Sequence, residues 1–198
     1  MSSLAQHILT KANQLPEGGV FSPKEFLHLG SREAVDQTFT RLVKEKKLLR
    51  VGRGLYTLPL QGRFGTRPPS PELLLAALTE KTGETVVSHG AAAANRLGLT
   101  TQVPVREVFL TSGRSRTLRL GSRVLEIKHA PPWQLLLGES SGGVLLRALA
   151  WLGPEQAEEL MQQVHEMIPA KEWEAVAAVR SELPSWLAKT VSQMGQHA

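Results

Sequence analysis

Residues 31–58 switch from a helical to an alternating pattern of apolar side chains, and this switch constrains the fold more than any other feature of the sequence. The apolar positions first recur at helical spacing, at Val35, Phe39, Leu42 and Val43. From residue 48 to 58 they alternate instead around Gly52-Arg53-Gly54, a stretch that tolerates positive φ angles. The sequence therefore predicts a helix that is followed directly by a β-hairpin.

Two more helices are predicted before this one. Residues 3–15 carry an apolar stripe behind a capping serine, and residues 22–25 combine an N-cap serine, a proline at the first helical position and a glutamate three residues after the cap. Gly30 suits the end of that second, short helix, and Ser31 caps the third. Two helices joined by a glycine turn and followed by a hairpin predict a winged helix-turn-helix domain over residues 1–60.

The polar face of the third helix is typical of a recognition helix. Arginine can donate two hydrogen bonds to guanine and glutamine can pair with adenine, while threonine and lysine reach phosphates or methyl groups. The candidate DNA-binding residues of this helix are Ser31, Arg32, Asp36, Gln37, Thr40, Arg41 and Lys44. The first turns of such a helix lie deepest in the major groove, so Arg32, Asp36 and Gln37 are the candidates for reading bases. Asp36 would either accept from cytosine N4 or hold Arg32 in place.

The hairpin adds two more candidates, Arg50 and Arg53, on a glycine-flanked turn that can approach a DNA backbone or enter a minor groove. By itself the third helix could equally be a solvated amphipathic helix. The hairpin beside it favours DNA binding for the two elements taken together.

The charge distribution agrees with a polyanionic partner. Residues 1–60 carry a net charge of +4, residues 61–130 carry +5 and residues 131–198 carry −4. A basic first two-thirds favours nucleic acid as a partner, whereas the acidic last third needs another explanation. An alternative hypothesis is a non-catalytic protein-binding module whose acidic C-terminal helices grip a basic partner.

A second domain is predicted over residues 72–198, after a Gly/Pro/Ser-rich linker at residues 61–71. Its pattern mixes helices and strands: a helix capped by Ser70, an alanine-rich helix capped by Ser88, and a hairpin with its turn at Gly121-Ser122. Acidic amphipathic helices follow to the end. The predicted fold class is α+β.

Four arginines cluster around the predicted strands of this domain, at Arg114, Arg116, Arg119 and Arg123. They could form a second polyanion site for phosphates. Charged residues on an edge strand also prevent aggregation, and the sequence does not separate these two interpretations.

Several classes of protein are disfavoured. The chain has no cysteine, and Asp36 is its only aspartate, so thiolate chemistry and the clustered carboxylates of metal-dependent phosphoryl transfer are not predicted. A catalytic role for Ser88-His89 is disfavoured because adjacent residues rarely converge on one substrate. We expect no enzyme activity, no catalytic residue, no metal and no cofactor. The apolar runs are too short to cross a bilayer and the first residues do not resemble a signal peptide, so a cytoplasmic protein is expected.

The stretch FSPKEFLHLGSREAVDQTFTRLVKEKKLLRVGRGLYTLP resembles the N-terminal winged helix of AbiEi-type antitoxins, from type IV (abortive infection) toxin–antitoxin systems. The stretch SHGAAAANRLGLTTQVP, followed by REVFLTSG, is similar in outline to the antitoxin domain of that family. The resemblance covers about residues 1–130 and does not extend to the acidic helices.

The resemblance implies a transcriptional autorepressor that binds inverted repeats of double-stranded DNA at its own promoter. It also implies an antitoxin that counteracts a nucleotidyltransferase toxin encoded in the same operon, as part of phage defence. The family's DNA-contacting surface corresponds to Arg32, Gln37, Arg41, Lys44, Arg50 and Arg53. Such a chain would be a monomer or a weak dimer, since paired repeats need two winged helices.

Overall fold

The computed structural model describes residues 3–63, 65–103, 105–165 and 167–194. The predicted α+β class is confirmed. The chain divides into two compact units: the first comprises residues up to Glu84 together with Arg116–Leu125, and the second comprises Thr85–Ser115 and the residues from Glu126 onward.

The described α-helices are α1 Leu4–Asn13, α2 Arg32–Lys44, α3 Pro71–Thr82, α4 Gly90–Arg96, α5 Ser141–Leu152, α6 Pro154–His165, α7 Ala170–Ala178 and α8 Ser185–Met194. The described strands are β1 Val20–Phe21, β2 Leu49–Gly52, β3 Leu55–Thr57, β4 Leu60–Gly62, β5 Gly65–Arg67, β6 Val86–Ser88, β7 Glu107–Thr111, β8 Arg116–Leu120 and β9 Arg123–His129. Short 3₁₀ helices lie at Pro23–Phe26, Pro132–Leu135 and Arg180–Glu182.

Local signals explain where the helices of the first unit begin. The hydroxyl of Ser3 accepts from the Gln6 amide, that of Ser31 from the Ala34 amide, and that of Ser70 from the Leu73 amide. Each bond satisfies one of the amides that a helix leaves unpaired at its start. The serine caps predicted for these three helices are therefore confirmed.

The second predicted helix needs a correction, because the structure has only a short 3₁₀ helix there, at Pro23–Phe26. The Ser22 amide does donate to the Glu25 carboxylate at 2.8 Å, so the start signal acts as expected. Phe26 is buried, but Leu27 and Leu29 are exposed. Because the residues after Phe26 bury less apolar surface, packing stabilises a second turn only weakly, and the helix ends before Gly30.

The first unit contains an antiparallel sheet with the strand order β1-β3-β2. In the sequence β1 precedes α2, whereas β2 and β3 follow it, and α2 packs against the core beside this sheet. Val20 and Leu49 lie on either side of Thr57, which confirms the predicted β2–β3 hairpin and pairs the predicted extended stretch at residues 20–21 with it. Four rings form the centre of the core, with centroids 4.7–6.2 Å apart: Phe21, Phe26, Phe39 and Tyr56. Phe39 comes from α2 and Tyr56 from β3, so this packing fixes the helix against the hairpin.

The predicted linker at residues 61–71 is a second correction. Its first part forms the antiparallel β4–β5 hairpin, in which Gly62 pairs with Gly65. Its last residue, Pro71, begins α3, which belongs to the first unit: Leu74 and Leu78 are buried, and the backbone of Leu73 adjoins Gly18. Gly and Pro marked this stretch as a boundary, but here they form a tight turn and a helix start.

The second unit pairs β6, β7 and the second part of β9 in that order. Its main core is built on α5, whose residues from Gly142 to Leu149 are all buried, together with apolar side chains of α6, α7 and α8. Ala93 and Ala94 of α4 pack against Val144 and Ala148 of α5, because small side chains allow the two helices to approach closely.

The predicted cap of α4 is wrong. Ser88 ends β6, and the N-cap is His89, whose Nδ1 accepts from the Ala91 amide at 3.2 Å. The amide and hydroxyl of Ser88 instead donate to the carboxylate of Glu139, 51 residues later in the chain. Ser88 therefore bonds to Glu139, which is distant in the sequence, and not to the start of the helix as local signals predicted.

Among the described residues, no helix is both long enough and apolar enough to cross a membrane.

Candidate nucleic-acid interface

The two faces of α2 are chemically distinct. Val35, Phe39 and Leu42 are buried in the core of the first unit. The opposite face is polar, and a shallow concave surface runs along it, lined by Arg32, Glu33, Asp36, Gln37, Thr40, Arg41 and Lys44. All of the predicted base-reading and phosphate-binding residues of this helix other than its cap, Ser31, therefore share one exposed face.

Hydrogen bonds between neighbouring turns organise this face. Arg32 Nε lies 2.8 Å from Asp36 Oδ2, and Gln37 Nε2 donates to Glu33 Oε1 at 3.2 Å. The side chains of Arg32 and Asp36 are 61% and 47% exposed, so water competes with this pair. The pair agrees with the interpretation in which Asp36 holds Arg32, and acceptance from cytosine N4 stays a prediction.

Thr40 is also engaged, since its hydroxyl donates to the backbone carbonyl of Asp36 at 2.9 Å. It retains lone pairs and a methyl group for contact.

Lys44 is exposed and makes no side-chain hydrogen bond or ion pair within the described part of the chain. Arg41 Nε is 3.9 Å from Glu45, which leaves most of its donors available. Lys47 donates to Glu45 at 2.7 Å, and this hydrogen bond lowers the pKa of Glu45.

The β2–β3 turn presents Arg53 at its tip. Gly54 has a φ of +65°, so it supplies the left-handed conformation that the turn needs. Gly52 has a different role: a Cβ there would lie 3.0 Å from Leu118 of β8. Arg53 is exposed and, among the residues described, makes no hydrogen bond or ion pair. Arg50 Nε approaches the Gly52 carbonyl at 3.5 Å, a weak contact that leaves its guanidinium accessible.

One groove of the first unit brings the helix and the hairpin together. The predicted residues that line it are Arg32, Asp36, Thr40, Arg50 and Arg53. Gln37, Arg41 and Lys44 lie further round or along α2, on its exposed face. Ser31 lines neither surface, and its hydroxyl oxygen caps the helix by accepting from the Ala34 amide.

The groove contains a basic residue that the sequence did not single out, Lys24. It is exposed, whereas its neighbour Pro23 and the nearby Phe26 are buried. In the sequence, residues 22–25 were interpreted only as a helix start. The signal that could have identified Lys24 is its place between two residues that face the core.

The second arginine cluster requires a correction. Arg116 Nη2 is 2.6 Å from Glu84 Oε2, and both side chains are about three-quarters buried, at 26% and 24% exposure. Arg116 is therefore part of an ion pair within the first unit and is not a free cation. Arg119 and Arg123 are exposed on β8 and β9, while Arg114 belongs to the second unit.

The sequence matches the model of one protein family, described as "Family of unknown function (DUF6088)", over residues 7–175. The chain belongs to this family. No curated protein matches the sequence.

The matched region of this DUF6088 chain contains α2, the β2–β3 hairpin and α5. Within the described ranges, no group of three or more His, Asp or Glu side chains could hold a metal ion. The polar groups of the interface are cationic, amide, hydroxyl and carboxylate side chains on a helix and a turn.

Proposed function

We propose that this DUF6088 chain is a DNA-binding transcriptional regulator whose first unit contains a winged helix-turn-helix. In this proposal α2 is the recognition helix and the β2–β3 hairpin is the wing. The observation that carries the proposal is the groove in which the exposed face of α2 and the Arg53 turn lie side by side. Both parts would then contact one duplex at the same time.

The size and chemistry of α2 suit the major groove. Its 13 residues span about 20 Å at 1.5 Å per residue. A helix of this kind fits the major groove of B-DNA, which is about 12 Å wide. Arg32 and Gln37 lie on the first turns and would reach base edges. Arg41, Lys44 and Arg53 carry available cationic groups and would bind phosphates.

Asp36 has a defined part in this proposal. Its bond to Arg32 at 2.8 Å restricts the guanidinium before DNA arrives. An arginine that is already oriented loses less conformational entropy when it makes two bonds to guanine. A carboxylate on this face would also repel phosphates. This repulsion would favour the position in which Arg32 contacts a base over non-specific contact with the DNA backbone.

We extend the proposal to an autorepressor and antitoxin located in the cytoplasm. The support is the sequence resemblance of residues 21–59 to the winged helix of AbiEi-type antitoxins, and the outline similarity of the following residues. Repression would occur at inverted repeats in the chain's own promoter, bound by two copies. The partner would be a nucleotidyltransferase toxin encoded beside it.

The DNA half is tested by gel shift with the duplex upstream of the chain's own gene. Wild-type protein should bind, and the logarithm of its affinity should fall with the logarithm of salt concentration. Arg53→Ala and Arg41→Ala should each weaken binding about 5- to 20-fold at low salt and reduce the salt slope by about one. Arg180→Ala is the matched control, because Arg180 is an exposed arginine of the second unit.

Absence of binding at low salt would reject this proposal, as would an equal effect of all three substitutions. A second candidate rests on the net charge of −4 in residues 131–198: a protein-binding module that grips a basic partner. A promoter reporter that ignores the protein, together with co-purification of the neighbouring gene product, would favour that candidate. Neutralisation of the toxin by an Arg53→Ala variant that no longer represses would show that the two activities are separable.

A further inference from the structure

The β4–β5 hairpin contributes no buried side chain to the core of the first unit. None of its described residues is buried, and Leu60 alone among them is partly buried. A two-stranded hairpin of this kind is at best marginally stable in water by itself. Its base is nevertheless fixed, because the chain continues into Pro68, which is partly buried, and Pro69, which is buried. The hairpin is therefore held at one end, and packing does not explain its side chains.

The charged groups of this hairpin are all cations. Arg63 and Arg67 are exposed, and residues 59–71 contain no acidic residue. Arg63 makes no hydrogen bond or ion pair with any described residue. Arg67 Nη1 is 3.5 Å from the carbonyl oxygen of Pro68, which is a weak contact. Both guanidinium groups are therefore available to an anion.

Arg119 of the returning strand β8 is a third available cation of the same unit. It is exposed and, in the part of the chain that the structure describes, makes no hydrogen bond or ion pair. Leu118 and Leu120 on either side of it are buried. Since side chains alternate along a strand, Arg119 points away from the core. The segment Arg116–Leu125 contains no acidic residue either.

The strand β8 lies against the β2–β3 hairpin. A Cβ on Gly52 would be 3.0 Å from Leu118 Cδ2, so the two segments approach closely there. Arg53 follows Gly52 in the sequence, and Arg119 follows Leu118. Arg119 is therefore near the proposed wing in the folded chain, although it is far from Arg53 in the sequence.

The turn between β8 and β9 lies against the base of the β4–β5 hairpin. A Cβ on Gly121 would be 3.3 Å from Pro68 Cγ, and Arg67 immediately precedes Pro68. The strand with Arg119 therefore contacts the β2–β3 hairpin at one point and the base of the β4–β5 hairpin at another. We call Arg63, Arg67 and Arg119 the second basic surface.

We propose that the second basic surface binds the phosphate backbone of DNA beside the segment that α2 contacts. This inference rests on the proposed function and extends its interface by one hairpin and one strand. Exposed arginines without a carboxylate partner attract a polyanion, and its counterions are released on binding. Arg63 is ten positions after Arg53, so their Cα atoms are at most about 36 Å apart, close to one turn of B-DNA. A duplex of two turns is therefore long enough to reach both hairpins.

The test compares two duplexes in binding titrations with the full chain at several salt concentrations. The short duplex is the shortest piece of the upstream DNA whose binding still weakens in Arg41→Ala. The long duplex adds about 10 base pairs, one helical turn, at each end. Wild-type protein should bind the long duplex more tightly and with a steeper salt dependence. The added slope should be about two to three, nearly one for each phosphate contact.

The decisive variant combines Arg63→Gln, Arg67→Gln and Arg119→Gln, which keep polar side chains at exposed positions. On the long duplex it should bind at least about tenfold more weakly at low salt and lose the added slope. On the short duplex it should bind like the wild type. The matched control removes the same total charge from exposed positions of the second unit and should bind both duplexes like the wild type; it combines Lys171→Gln, Arg180→Gln and Lys189→Gln.

The outcomes separate this inference from the proposed function. An equal loss in the triple variant and its control would be a general effect of charge and would overturn the inference. The same loss on the short and the long duplex would overturn the placement beside the α2 segment. A triple variant that binds the long duplex like the wild type would overturn it too, and self-association of that variant would show that the arginines protect strand edges.

In all three cases, weaker binding by Arg41→Ala would still support the proposed function. Absence of wild-type binding to either duplex at low salt would overturn both proposals together.

Discussion

At the scale of single residues, Glu25 connects the 3₁₀ helix before α2 to α3. Its Oε1 accepts from the Ser22 amide at 2.8 Å and from Lys81 Nζ at 2.6 Å. Lys81 also donates to the carbonyl of Val20 at 3.0 Å. The bond to Ser22 follows from the sequence as a capping pair. The bond to Lys81, 56 residues away, could not be predicted, because it depends on where α3 packs.

Glu25 gives a prediction for pH dependence. Partial burial raises its pKa, but the bonds from Lys81 and Ser22 outweigh burial and lower the pKa below its ordinary 4.5. The unfolded chain then holds the proton more tightly, so this stabilisation is present above pH 4.5 and is lost as pH falls through the lower folded value. Glu25→Gln should cost about 1 kcal/mol or less at pH 7, since the pair is partly exposed.

Urea denaturation of the wild type and Glu25→Gln at pH 7 and again below pH 4 measures this effect. The difference in unfolding free energy should shrink toward zero at the lower pH. Glu17→Gln, at an exposed glutamate without a described partner, is the control and should change little at either pH. A difference that stays constant with pH would contradict the assignment.

Asp36 gives a second prediction at this scale. Asp36→Ala removes a negative charge from the α2 face and releases Arg32, which it now holds at 2.8 Å. Affinity for duplexes of unrelated sequence should rise about 3- to 10-fold at low salt, while the preference for the upstream duplex falls. Competition gel shifts with both duplexes measure the ratio. Glu17→Ala removes the same charge far from the face in sequence and serves as the control. An unchanged ratio would mean that Asp36 does not tune recognition.

At the scale of elements, the contact between α4 and α5 depends on Gly90. A Cβ at this position would lie 2.5 Å from the Cβ of Trp151 and 2.6 Å from the carbonyl oxygen of Arg147. The second of these is a backbone atom within α5 and cannot rotate away. Gly90 is therefore a site of close helix approach, and its φ angle is not the reason for the glycine.

Gly90→Ala should destabilise the second unit by about 1–3 kcal/mol, because the added methyl group forces α4 and α5 apart. Helix propensity alone predicts the opposite sign, a gain of up to about 1 kcal/mol. The sign of the change, measured by chemical denaturation or hydrogen exchange in α5, separates the two effects. A stabilised variant would show that the helices can move without cost.

At the scale of the whole molecule, the chain does not divide at one point. The first unit includes α3 and also the segment Arg116–Leu125, where the chain comes back to the first unit after a stretch in the second. Leu118 and Leu120 of that returning segment are buried, and Leu118 adjoins Gly52 of the β2–β3 hairpin. The proposed DNA-binding surface is therefore supported by residues far from it in sequence.

A truncation tests this dependence. A fragment of residues 1–60 lacks the buried Leu74 and Leu78 of α3 and the returning strand β8. We expect its amides in α2 to exchange faster than in the full chain by at least about tenfold, since each 1.4 kcal/mol of lost stability gives that factor. A fragment of residues 1–84 should be intermediate. Equal protection in the shortest fragment and the full chain would show that residues 1–60 are an independent domain.

Elements whose signals are local could be predicted from the linear order of residues alone. Ser31 and the apolar spacing of Val35, Phe39 and Leu42 were enough for α2, and Gly54 with the alternation around it was enough for the hairpin. The α+β class and the turn at Gly121, with a φ of +66°, followed in the same way. Caps, turns and apolar periods act over about four residues, so a linear pattern contains them.

Which side chains share a site, and which already have a partner, depends on how the chain packs and could not be predicted. In the structure His89, and not Ser88, is the cap of α4, Arg116 forms an ion pair with Glu84, and Lys24 lines the groove beside Arg53. Arg147 is also buried, beside a cavity. Ser88 and Glu139 are 51 residues apart and Glu84 and Arg116 are 32 apart, and the energy of such contacts, like that of burial, exists only once each unit has folded.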